Sequence, residues 1–461
     1  MNTKRISGMF LMLACFGLTV FAQTVPPSGI IGWWAGDGDG RDLSGNALHG
    51  TPFNSGFVLG RVGQGFDFRS GTGIVPHLRV SDNPLLKPPQ FTVEAWVKFN
   101  PIFQNYHVII AKGCSGCVAD SYALGFFSNG TNPASANPQF FTEHTLGTNL
   151  LAAPGNLANS TVWNHLAGSF DGTTKRLYVN GALVATQGVP QPIVYDANNV
   201  PLTVGADWEN GVPAYRFTGD IDEATLYNRA LLDSEITAIF NAGVGGKIKS
   251  AATATGANSQ SQVGDQTITF QNVATPGTTS SYSLDPTTLP PLPLGNTHPG
   301  LAYEISTTAI YQQGAPNDVR VCFNVPALSS TGFGNNRIFH REGGNWVNRT
   351  DATSVYPNLC TTGLTSLSPF AIASAVPTAA NVSVGGRVLA NGQGVSRAGV
   401  TLTDSSGNSR SAMTNAFGYF RFDEVEAGQT YIFTVTHKRY QFAPQVVSVP
   451  EEMTELNFTA Q

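Results

Sequence analysis

The chain has little charge for its size: of 461 residues only 12% are Asp, Glu, Lys or Arg, and the net charge is −5. No basic field exists for phosphates, which excludes nucleic acid as a partner. Beyond the N-terminus no apolar run approaches the ~20 residues that a membrane-spanning helix needs, so the mature chain is expected to carry no transmembrane span. The phrases G-x-S-x-G and H-E-x-x-H and the P-loop are missing, and the eight histidines are scattered. Helical periodicity is scarce as well. The single helix we expect is Asp233 to Ala242, where Ile236, Ile239 and Phe240 share a face and Gly243 can cap.

What the chain has instead is turn-forming residues. With 50 Gly and 28 Pro among so few charges, it reads as many short strands joined by turns, an all-β protein. Its length points to about three domains. The most informative stretch is Trp163 to Gly181, WNHLAGSFDGTTKRLYVNG. Trp163 to Phe170 has strand composition, Asp171-Gly172 is a turn pair, and Asn180-Gly181 suits a two-residue type I′ hairpin. That turn predicts Val179 opposite Ala182, Leu177 opposite Val184 and Tyr178 opposite Leu183. Both faces of this pair are then largely apolar, as in a strand pair covered on both sides. Phe91 to Phe99 alternates Phe91, Val93, Ala95, Val97 and Phe99 with Thr92, Glu94, Trp96 and Lys98, a strand with one face inward.

The N-terminus reads as a signal peptide over residues 1–22: Lys4 and Arg5, an apolar Met9 to Phe21, and a cleavage site after Ala22. A secreted or cell-surface location follows. Leu13-Ala14-Cys15 offers an alternative lipoprotein site. Without Cys15 four cysteines remain in an oxidising compartment. Cys322 and Cys360 form one expected disulfide, worth roughly 4 kcal/mol on the chain-entropy estimate. Cys114 and Cys117, in C-S-G-C, lack both the second C-x-x-C of a zinc site and the strand-to-helix setting of a redox site. We read them as a small disulfide pinning a hairpin loop.

The W-x-H-L-A-G-S-F-D-G-x-x-x-x-L-Y-V-N-G phrase resembles the central hairpin of laminin-G-like, concanavalin A-like jelly rolls. Asp42 to Gly50 (DLSGNALHG), Phe91 to Lys98 (FTVEAWVK) and Phe217 to Leu231 (FTGDIDEATLYNRAL) fall in the order that family would have them. The resemblance implies a jelly-roll domain over residues 23–246. A polar stretch, 247–262, reads as a linker without a core. Residues 263–376 read as a second β-sandwich carrying Cys322 and Cys360, with Trp346 as a core residue. Residues 381–461 resemble carboxypeptidase regulatory-like, transthyretin-like domains through Val384 to Val388, Gly399 to Thr403 and Thr414 to Phe422. The whole is a jelly-roll β-sandwich followed by two smaller β-sandwich domains.

The jelly-roll resemblance implies two kinds of site. Asp42 and Asp222, with Asn46, stand where similar domains hold a structural calcium with help from backbone carbonyls. Related hydrolases carry acids as E-x-D-x-x-E, but here the first acid is Asp220 and Thr225 stands at the third place. No catalytic residue is therefore assigned. His165 reads as structural. Trp208, flanked by polar residues before Tyr215, is the best glycan-stacking candidate, with Asn210 and Tyr215 beside it. The expected function is non-catalytic binding of an extracellular glycan or a surface protein. A structural or adhesive spacer is the alternative.

Overall fold

The computed structural model describes residues 23–461 apart from 70–74, 101–104, 114–119, 129–134, 316–317, 376–380, 405–406, 450–451 and positions 146, 197, 294, 299, 368 and 428. The leader reading, Cys15 and the Cys114/Cys117 pairing lie outside the described residues. The chain forms two compact units, residues up to 291 with 298–373, and residues 292–297 with 374–461. Each is described by itself.

The first unit begins with two packed antiparallel sheets. One runs in the order Ala182–Gly188, Thr174–Val179, Asn164–Phe170, Phe91–Phe99, Gly219–Tyr227, Gln64–Asp67, Gly56–Leu59, with Ile30–Trp34 also on Gly219–Tyr227. The other runs Gly147–Ala152, Ser135–His144, Tyr122–Ser128, Asn105–Lys112, Leu202–Val204, His77–Val80, Gly50–Phe53. Alternation decides what goes between them. Phe91, Val93, Ala95, Val97 and Phe99 meet Leu78, Val80, Leu124, Phe140 and Leu202 in one core. Each such fully buried side chain contributes about 1.5–3 kcal/mol.

The central hairpin forms as its turn requires, with Asn180 at φ 50° and Gly181 at φ 78°. Val179 pairs with Ala182 and Tyr178 with Leu183, but Leu177 pairs with Ala185. A bulge leaves Val184 without its expected partner, because an extra residue on one strand shifts the register beyond it. The Thr174–Val179 strand is covered on both faces. Ala182–Gly188 is an edge strand and is largely exposed. The Asp233–Ala242 helix buries Ile236 and Ile239 against Ala167, Tyr178 and Tyr227 on the outer face of the first sheet.

The stretch 247–262 is not a linker. Lys249–Thr253 and Gly256–Val263 are strands, and each enters one sheet of the second sandwich. Composition misleads here because the core of these strands is polar. Thr253 Oγ1 lies 2.7 Å from Ser261 Oγ and 2.6 Å from Thr279 Oγ1, a hydroxyl ladder that satisfies itself without water. The opposing sheets are Lys249–Thr253, Gly277–Ser283, Ala302–Thr307, Phe370–Ala375, Asn336–Glu342, Asn345–Asn348 and, facing it, Gly256–Val263, Gln266–Thr275, Val319–Asn324, Asn358–Cys360. The expected Cys322–Cys360 disulfide joins adjacent strands and closes a separation of 38 residues. Trp346 is not a core residue: it lies half-buried on the edge strand, and its indole N–H donates to Pro290 O at 3.0 Å.

The two sandwiches of this unit meet through buried charge. A bulge between Asp222 and Thr225, with Glu223 at φ 58°, interrupts the alternation of the Gly219–Tyr227 strand. Ile221 and Ala224 both point into the core, so Asp222 and Glu223, between them, both leave it. Lys249 answers them with a contact to Asp37 and another to Glu223 Oε1 at 3.2 Å. Lys247 donates to Glu94 Oε1 at 2.5 Å and to Thr225 Oγ1 at 2.8 Å. Gln64 Nε2 donates to Asp265 Oδ2 at 3.0 Å and Asn324 O at 2.8 Å, and Gln64 Oε1 accepts from the Ala327 N–H. Gly38, at φ 79°, is needed for the approach, since a Cβ there would lie 2.8 Å from Asn324 Nδ2.

The second unit is a small sandwich. One sheet is built on Asn381–Ala390 and Tyr419–Glu426, the other on Ser409–Met413, Gly399–Thr403, Gln429–Thr436 and Gln445–Val449. Val384, Val388, Val400, Leu402, Phe420, Phe422 and Phe433 fill the space between them.

Removing Lys249 leaves Asp37 buried without its cation and Glu223 with Lys247 alone, at 3.6 Å, so Lys249→Met is expected to cost about 3–5 kcal/mol in chemical denaturation. Asp265 is held up at about 7, first by burial and then by the charge of Asp37. A raised acid stabilises the fold fully below its unfolded value near 4 and loses that contribution as pH rises through about 7. Wild type and Asp265→Asn should therefore match in relative stability near pH 4, with wild type falling behind as the pH approaches 8. A difference that is flat with pH would contradict this.

Candidate functional site

The outer face of the sheet ending in His77–Val80 and Gly50–Phe53 carries an aromatic and cationic stack. Leu78 and Val80 point into the core, so His77 and Arg79 point out. His77 stacks on Phe53 at 5.0 Å with the rings 9° apart. The Arg79 guanidinium lies 4.3 Å from the Phe53 ring centroid and 5.5 Å from that of Trp208. Trp208 is 6.0 Å from His77 and half-buried, so part of the indole remains open. Burial, with Arg79 nearby, pushes His77 down from its ordinary value, which keeps it neutral near pH 7.

Trp208 is delivered by a short hairpin, Asp207–Glu209 paired with Val212–Ala214. Asn210 at φ 50° and Gly211 at φ 84° make its turn. The Asn-Gly pair signals this turn in the sequence, and it gives Asn210 a place at the exposed tip as a turn former. The hairpin rests on Gly113, where a Cβ would be 3.0 Å from Trp208 O and 2.7 Å from Val200 Cγ1. Any larger residue there would lift the indole.

Next to Trp208, Asp207 is joined by a second buried carboxyl, Asp120. Asp120 and Asp207 are both buried, and Asp207 also accepts the backbone N–H of Trp208. Burial, then the hydrogen bond to Asp207, raises Asp120 well above the usual carboxylate range. The upward shift favours the neutral form of Asp120, the form that donates in this hydrogen bond. Glu209, exposed on the same hairpin, is raised by partial burial and by Asp207. Tyr215 follows the hairpin, is 39% exposed, and meets Tyr106 edge-on at 6.2 Å. Tyr106 in turn meets Phe141 at 5.7 Å.

Trp208 and Tyr215 are thus placed on one outer face, the first on a hairpin strand and not in a loop. Phe53, His77, Arg79, Asp120 and Asp207 are the members that sequence reasoning missed. The alternation of His77-Leu78-Arg79-Val80 and the adjacency of Asp207 to Trp208 carried a signal, whereas Phe53 and Asp120 come from distant parts of the chain.

Asp42 and Asp222 serve other purposes. Asp42 Oδ1 accepts the N–H groups of Trp33 and Ser44, each at 2.9 Å. Oδ2 accepts Leu48 N–H at 3.0 Å and the Ser44 hydroxyl at 2.7 Å. All four of its acceptor positions are occupied, so it staples its own loop and has none left for a cation. Asn46 Nδ2 donates to Ile31 O at 2.9 Å in the same loop. Asp222 has no exposed surface, accepts from Val62 N–H at 2.8 Å, and is raised well above the carboxylate range by burial and then by Glu223. Among the described residues no group of three or more His, Cys, Asp or Glu side chains converges as a metal site would. His165, fully buried, lies 3.0 Å from Glu94 Oε2 inside the Lys247 network.

Fold and site together define a concanavalin A-like sandwich carrying an aromatic outer face. Residues 72–237 match the family model described as the Concanavalin A-like lectin/glucanases superfamily, and residues 383–461 match the Carboxypeptidase regulatory-like domain. The chain contains a domain of each family. The comparison with curated proteins finds no match. Among solved structures, domain 4 of AbnA, an extracellular arabinanase from Geobacillus stearothermophilus in complex with arabinotriose, is 18% identical over 45% of this chain and 97% of its own, with a TM-score of 0.35. The Ruminococcus gnavus IT-sialidase CBM40 bound to α2,3 sialyllactose is 19% identical over 41% and 96%, with a TM-score of 0.31. The binding domain of Paraclostridial Mosquitocidal Protein 1 is 12% identical over 75% and 91%, with a TM-score of 0.37. All three are distant likenesses.

Asp42→Ala strands three backbone donors and is expected to cost about 3 kcal/mol, equally in calcium and in chelator. A wild-type melting temperature that rises with calcium would instead place a metal on the folded state.

Proposed function

We propose that the protein is a non-catalytic binding protein that takes carbohydrate on the outer face carrying Trp208. The observation that carries this reading is the open part of the Trp208 indole, fixed from below by the Gly113 contact and from the side by Arg79. A ring held in place this way loses no side-chain freedom when a pyranose stacks on it. Glu209 at the exposed rim supplies acceptors for sugar hydroxyls, and Tyr215 extends the surface. The concanavalin A-like family match supports a saccharide as ligand.

Binding is preferred to catalysis because the acids that a hydrolase reading would use are sealed. Asp222 has no exposed surface, Thr225 stands where a third acid would be needed, and Asp120 and Asp207 are both buried. The Cys322–Cys360 disulfide supports work in an oxidising compartment, as a secreted or surface protein.

On a panel of neutral oligosaccharides read by calorimetry, the full chain should bind at least one, and Trp208→Ala should weaken that affinity about tenfold or more. Reducing-sugar release is expected to stay at background. A blank panel would favour the adhesive-spacer reading instead.

A further inference from the structure

The opposite outer face of the same sandwich carries a second, differently charged depression. It has a volume of about 380 Å³, enough for one or two sugar rings, and is bounded by Arg61, Trp96, Lys98, Trp163 and Phe240, with the 161–162 turn and Asn180 at its edge. Trp96 is its floor. Its position in Phe91–Phe99 points it away from the core, and the Asp233–Ala242 helix lays Phe240 on it at 5.6 Å with the rings 24° apart. Arg61 covers the same indole at 4.9 Å. Trp163 and Val162 form an apolar side wall, half-buried and 52% exposed respectively.

Apart from the Thr161 hydroxyl, which donates to Asn159 Oδ1 at 2.9 Å, the polar side chains that line this depression present donors. Among the described residues Arg61 makes no ion pair within 4 Å, with Asp222 and Asp285 acting on its charge only from farther off, and its Nε is buried without a hydrogen-bond partner. Lys98 is exposed and, among the described residues, forms no ion pair at that distance, its cross-strand partner Asp220 feeling its charge from farther off. The Oδ1 of Asn180 is already taken by the His165 N–H at 2.9 Å, which leaves its NH₂ to donate. No Asp or Glu lines the depression, although the chain as a whole is acidic. Two cations and an amide donor beside an aromatic wall, with no carboxylate among the described lining residues, fit a ligand that is both anionic and flat-faced.

We propose that this depression binds an anionic saccharide, its carboxylate or sulfate against Arg61 and Lys98 and its ring on Trp163. The site is separate from the Trp208 face, lying on the other sheet, and it extends the carbohydrate-binding reading to a second ligand class. The two surfaces can therefore fail independently.

The test uses the full chain with three probes: tetragalacturonate, a sulfated chondroitin tetrasaccharide and neutral cellotetraose. At least one acidic probe should bind, and its affinity should fall about tenfold between about 50 and 300 mM salt, as a contact between exposed charges requires. Lys98→Gln, a change at an exposed position, should weaken acidic-probe binding about fivefold or more, and Trp163→Ala should abolish it. Trp208→Ala should leave it unchanged. The proposal is overturned if neither acidic probe binds at millimolar concentration, if cellotetraose competes equally for the site, or if Trp208→Ala removes acidic binding while Lys98→Gln and Trp163→Ala preserve it. The carboxylate and sulfate probes, compared with each other, identify which anion the donors prefer.

Discussion

Lys249 is the residue on which the first unit depends. Its ammonium lies between Asp37 of the first sandwich and Glu223 on the bulged strand, while its own strand belongs to the second sandwich. The neighbouring carboxylates hold its ammonium above the ordinary lysine range against the effect of burial. Lys247, two residues earlier, does the same for Glu94, which is lowered to about 2 despite complete burial. Buried pairs of this kind add little over an apolar contact, but losing one partner exposes the whole desolvation penalty of the other. The arrangement therefore fixes the relation between the two sandwiches more than it raises their stability.

This constraint shapes what lies around it. The bulge at Glu223 exists because two consecutive acids must both leave the core, and it ends any resemblance to a glycosidase strand by sealing Asp222. His165 and Tyr227 are drawn into the Glu94 network, which accounts for a histidine and a tyrosine with no exposed surface in the family phrase. The two surfaces proposed for ligands lie on the outer faces beyond the network: the Trp208 stack on one sheet and the Trp163 depression on the other.

Much of this architecture was legible in the chain. Period-two alternation gave the Phe91–Phe99 strand and its inward face, Asn180-Gly181 gave the central hairpin, and the Asp233–Ala242 helix was visible from three apolar residues and a capping glycine. The polar strands were not. Lys249–Thr253 and Gly256–Val263 bury hydroxyls that pair with one another and a lysine that pairs with distant acids, and a composition argument counts all of these as solvent-facing. The register past Leu177 was missed for a related reason, since a bulge leaves no local mark in the residues that flank it.

By itself the sequence determined the local conformations: turns where Gly and Asn tolerate positive φ, strands where apolar residues alternate, and a disulfide from two cysteines in one domain. Those depend on neighbours along the chain. Tertiary structure alone decided which acids are charged and which aromatics are open, because burial and the approach of partners more than 100 residues away, such as Lys247 to Glu94, set both. Asp42 shows the difference within nine residues: its spelling suits a cation ligand, and only the folded loop, which turns three N–H groups and a hydroxyl onto it, makes it a staple.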